Sequence, residues 1–118
     1  MQLNLDERMK GALKEVLNEG LKVAEQVKDL ELEKEYQRML KNVNQGHYRR
    51  FSNEDVETIW YLCDVGARTC DFLLESADTP EQFEKTAQVK EVYADIQKHI
   101  YTTQVRNNIA SKGVFSGN

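Results

Sequence analysis

The sequence is poor in the residues that punctuate or cross-link a chain. Its 118 residues include one proline, six glycines, two cysteines and two histidines. An all-β fold needs turn residues at short intervals, so this scarcity excludes one. Two cysteines do not make a disulfide framework. Zinc sites draw four Cys, His or carboxylate ligands at recurring spacings. His47 and His99 lie far apart, with no cysteine or second histidine at ligand spacing, so neither a metal nor another cofactor is expected. No 18-residue window is free of charge, which excludes a membrane-spanning helix. The opening residues MQLNLDERMK carry charge where a secretory signal has its apolar core.

Catalytic signatures are missing as well. There is no Gly-rich phosphate loop, no G-x-S-x-G and no H-E-x-x-H. Glu54 and Glu57 make one E-x-x-E, but the E-x-x-D that all-α nucleotide pyrophosphohydrolases carry on a later helix is absent from the last predicted helix, which opens at Pro80. An enzyme is therefore not expected. The one catalytic arrangement the sequence leaves open is Glu54, Glu57 and Asp64 meeting across a dimer to hold Mg²⁺.

What is present is helical periodicity, in a chain that is 40% apolar and 31% charged with a net charge of −4. Positions 9, 13, 16, 20, 23, 27 and 30 form one seam in steps of three and four. Leu32, Tyr36, Met39, Leu40 and Val43 form a second, pointing roughly 150° away. No Gly or Pro separates the two seams, so the spacing predicts one long helix from Asn4, with a break near residue 30 as the alternative. Gly20 on the first seam suggests close approach of a neighbouring helix. Asn44, Gln45 and Gly46 read as a helix stop.

Ser52, with Asp55 three residues on, predicts a capped helix over residues 53–77. That helix is apolar over most of its circumference and is expected at the centre of the fold. Thr79 and Pro80 open a last helix, predicted to about residue 111. It carries two apolar faces: Val89, Val92, Tyr93, Ile96, Ile100 and Thr103 on one, Phe83, Ala87, Ala94, Tyr101 and Val105 on the other. The expectation is an all-α antiparallel bundle of three long helices, or four with the break, over residues 1–113, with a tail at 114–118. The surplus apolar faces call for self-association, most simply a homodimer.

Cys63 and Cys70 lie two turns apart on one helix face, about 10 Å along the axis, too far to pair. Reduced core thiols fit a cytoplasmic protein.

Charge is segregated. Residues 51–84 hold nine acids and one base, Arg68; from residue 85 onward five bases face two acids. The acidic stripe Glu57, Asp64, Asp71 and Glu75, together with Val114 and Phe115 in the tail, forms the candidate partner-binding surface. Its plain alternative is a solvated face in which Arg68 pairs with Asp64 and Asp71. His47, Tyr48, Arg49 and Arg50 form a candidate phosphate or nucleotide site, since Arg forks and an aromatic face suit such ligands. The plain alternative is a connector whose Tyr48 and Phe51 staple the bundle. The negative net charge argues against nucleic acid as partner. The sequence thus reads as a non-enzymatic protein that binds another protein, as a regulator, inhibitor or adaptor of the kind phages and mobile elements carry, or else as a nucleotide binder.

Overall fold

The computed structural model describes residue 3 and residues 5–112. It is all-α, and no strand occurs among the described residues. Helices α1 (Glu7–Gln26), α2 (Leu30–Gln45), α3 (Asn53–Glu75) and α4 (Pro80–Lys112) follow in order, with one 3-10 turn at Tyr48–Arg50 before α3.

The first segment is two helices, which corrects the expected continuity through residues 28–33. Lys28 takes the left-handed conformation, φ 59°. The Asp29 N–H donates to the Ala24 carbonyl at 3.0 Å and the Lys28 N–H to that of Glu25 at 3.2 Å. This is a Schellman closure with lysine where glycine usually stands. The Asp29 carboxylate then accepts from the Leu32 N–H at 3.1 Å and caps α2. Stop and start signals thus share three residues without a Gly or Pro. A lysine there carries the steric penalty that glycine avoids. Lys28→Gly is therefore expected to stabilise the protein by about 0.5–1 kcal/mol in urea denaturation. A loss of stability would contradict the left-handed turn.

The other boundaries follow from their caps. Asp6 caps α1 by accepting from the Met9 N–H at 2.8 Å; the start expected at Asn4 lies outside the described residues. Gly46 ends α2 at φ 70°. Ser52 and Asp55 form a reciprocal capping box on α3, at 3.0 Å in each direction. Thr79 Oγ1 accepts from the Gln82 N–H at the start of α4.

The principal packings are α1 on α2 and α3 on α4, two antiparallel hairpins, with α1 also touching α3 and α4. Leu3, Leu13, Leu17, Met39, Val43, Phe51, Val56, Ile59, Cys63, Ile96 and Ile100 are fully buried where the hairpins meet. Arg38 of α2 forks onto Asp55 of α3 at 2.7 and 2.9 Å. Arg8 of α1 reaches Asp95 of α4 at 2.7 Å.

Helix α3 is less enclosed than its composition suggests, because Trp60, Val65, Phe72 and Leu73 are exposed. The radius of gyration is 16.2 Å and the extents are 58 × 34 × 23 Å. A compact chain of this length has a radius near 13 Å, so the hairpins leave surface uncovered.

Candidate functional site

Part of the uncovered apolar surface lines a groove. All four helices line it, each by the end nearest a hairpin turn: α1 from Glu15 to Val23, α2 by Leu32 and Tyr36, α3 from Tyr61 to Leu73, and α4 from Lys85 to Tyr93. Its volume is about 730 Å³. Val23 of α1 and Leu73 of α3, 56% and 48% exposed, line it, with Val65 and Val89 also open to solvent.

Two tyrosines are seated on glycines along this groove. Tyr36 of α2 lies against Gly20 of α1, and Tyr93 of α4 against Gly66 of α3. A Cβ on Gly20 would stand 3.2 Å from the Tyr36 ring, and one on Gly66 would stand 2.9 Å from the Tyr93 ring. The close approach expected at Gly20 is thus made by a side chain of the neighbouring helix. Burial, then the charge of Glu15, pushes the Tyr93 hydroxyl up to about 12. Burial, then Glu35, also raises Tyr36. Both phenols therefore stay neutral at physiological pH. Charge is confined to Glu15, Glu19 and Lys85.

Gly66→Ala should destabilise the protein by about 1–3 kcal/mol despite the gain in helix propensity, because the Tyr93 ring must shift from its seat to admit the added methyl group. Gly20→Ala, with its looser contact, should be nearly neutral. Chemical denaturation of the two variants checks the contrast, and a stabilised Gly66→Ala protein would show that the Tyr93 ring is free to move.

The groove is not where the sequence placed a site. In the acidic stripe, Asp64 accepts an ion pair from Arg68 four residues on, at 3.1 Å, and Asp71 pairs with Lys90 of α4. Glu57 and Glu75 are exposed. Val114 and Phe115 lie outside the described residues. In the connector, Tyr48 and Phe51 pack ring against ring at 6.2 Å, and Phe51 is fully buried. His47 is half-buried, and its Nδ1 has no hydrogen-bond partner among the described residues. Arg50 is exposed, and the side chain of Arg49 lies outside the described set. The connector's aromatic residues thus serve the core.

Glu54 and Glu57 are exposed on the first turns of α3. Among the described residues no group of three His, Cys, Asp or Glu could hold a metal ion, and no helix is long and apolar enough to cross a membrane. Both cysteines are free and buried, and burial pushes the Cys63 thiol up to about 12, far from a reactive thiolate.

No family model, no curated protein and no solved structure matches the chain.

Proposed function

We propose that the protein is a non-enzymatic interaction protein, a regulator, inhibitor or adaptor, whose groove receives an apolar helix of another protein. The observation that carries this reading is the groove itself: a wide apolar cleft with few charged groups, open to solvent and lined by every helix. Helix-in-groove recognition uses such a surface, with apolar anchors at helical spacing. The two seated tyrosines give it a firm apolar floor with neutral polar tips. The protein works as a homodimer, which covers the surplus apolar face of α4, in a reducing compartment such as the cytoplasm, where its two buried thiols remain free.

The test is affinity capture from the native host with three tagged proteins: wild type, Val65→Asp/Leu73→Asp in the groove, and Asp64→Lys/Asp71→Lys on the acidic stripe. A partner held by wild type and by the stripe variant, and lost by the groove variant, is the expected result. A partner retained by the groove variant and lost by the stripe variant would overturn the groove and assign binding to the acidic face.

A further inference from the structure

The outer face of α4 carries an apolar stripe with a symmetry of its own. Its members are Phe83, Ala87, Ala94, Tyr101 and Val105. The intervals between them are four, seven, seven and four residues, the same read in either direction. At 3.6 residues per turn the five positions fall within about 40° of one another. Phe83 is 51% exposed, Tyr101 is 65% exposed and Ala94 is exposed. The groove-lining residues of α4 lie elsewhere on the helix, roughly 120° around it.

We infer that this stripe is the seam of an antiparallel two-fold dimer whose dyad passes through Ala94. The inference rests on the homodimer proposed above and names its interface.

A palindromic stripe is what an isologous contact requires, since each copy must present the same surface to the other. Turned about Ala94, Phe83 faces the second copy's position 105 and Ala87 faces its position 101. Ala87, a small residue, thereby meets the large Tyr101 of the other copy on each side of the dyad. Alanine at the dyad permits helix axes to approach to about 8 Å.

Charge agrees with the same register. Glu91 and Lys98 flank the stripe on one side, both are exposed, and neither has an ion-pair partner among the described residues. Antiparallel pairing about Ala94 brings Glu91 of each copy within one residue of level with Lys98 of the other, on the same flank. The dyad makes that pair twice.

The surface area points the same way. The chain exposes 8118 Å², about 1,500 Å² more than a folded monomer of 13.7 kDa. A standard stable interface covers about 800 Å² on each partner.

Sedimentation equilibrium of the full chain at tens of micromolar tests the seam, with circular dichroism to confirm that each variant is folded. Wild type should sediment as a dimer. Ala94→Glu sets two like charges at the dyad and should give a folded monomer. Glu91→Lys and Lys98→Glu should each weaken the dimer at least about tenfold. The Glu91→Lys/Lys98→Glu double variant should recover most of that loss, because it restores both pairs with the signs exchanged. The groove variant Val65→Asp/Leu73→Asp should remain dimeric. A dimer indifferent to Ala94→Glu and to both reversals would overturn the seam while leaving self-association intact. A dimer broken by the groove variant would move the seam to the groove. A wild-type protein that stays monomeric throughout would overturn both the seam and the homodimer.

Discussion

Phe51→Ala is expected to cost about 3–5 kcal/mol, the usual loss on deleting a buried aromatic ring. Phe51 is among the largest fully buried side chains, and it holds the turn between α2 and α3 against the core together with Tyr48. Small domains have only about 5–15 kcal/mol in total, so this variant should lie close to the unfolding threshold. Arg50→Ala, at an exposed position of the same turn, should stay within about 0.5 kcal/mol of wild type. Urea denaturation of the pair tests whether residues 47–51 are chiefly a structural connector. A Phe51→Ala protein as stable as wild type would contradict that reading.

The second large effect centres on Asp55. This carboxylate is 6% exposed, accepts both Arg38 nitrogens and also closes the capping box of α3. Burial pushes its pKa up, but the hydrogen bonds from Arg38 and Ser52 outweigh burial and hold it below the ordinary value. Arg38→Ala leaves the carboxylate buried without its counter-ion and should cost about 2–4 kcal/mol at neutral pH.

The pH dependence has a definite sign. A group whose folded pKa is depressed contributes stability above its unfolded pKa, about 3.9 for Asp, and loses it as pH falls through the folded value. The gap between wild type and Arg38→Ala should therefore be full at neutral pH and close as the solution is acidified below about pH 4. Denaturation midpoints measured across that range check it. A gap that stays constant into acid would remove Asp55 as its source.

Local signals carried most of the secondary structure. Ser52 with Asp55, Thr79 with Pro80, and Gly46 each mark a boundary because their chemistry acts over three or four residues. The break at Lys28 escaped because the left-handed residue is a lysine, leaving only Asp29 and the change of apolar phase as clues. The pair of Arg68 with Asp64 was legible for the same local reason. Asp71 instead reaches Lys90, which no spacing within α3 could indicate.

The groove was illegible because it exists only between elements. Val65 and Leu73 belong to a helix that reads as apolar over most of its circumference and central to the fold, and the packing of the hairpins leaves them open to solvent. Gly66 held a clue, as a small residue within a strongly apolar helix. The large ring that fills the space beside it, Tyr93, lies 27 positions away in sequence, on α4.

The most direct measurement is the binding of an apolar fluorescent probe such as anilinonaphthalene sulfonate to the native protein, with thermal unfolding followed in parallel. An open apolar groove should bind the probe saturably in a protein that still unfolds cooperatively. Val65→Asp/Leu73→Asp should abolish that binding with little change in unfolding temperature. A native protein that leaves the probe unbound, or a groove variant that binds it as well as wild type, would contradict the groove as an open docking surface.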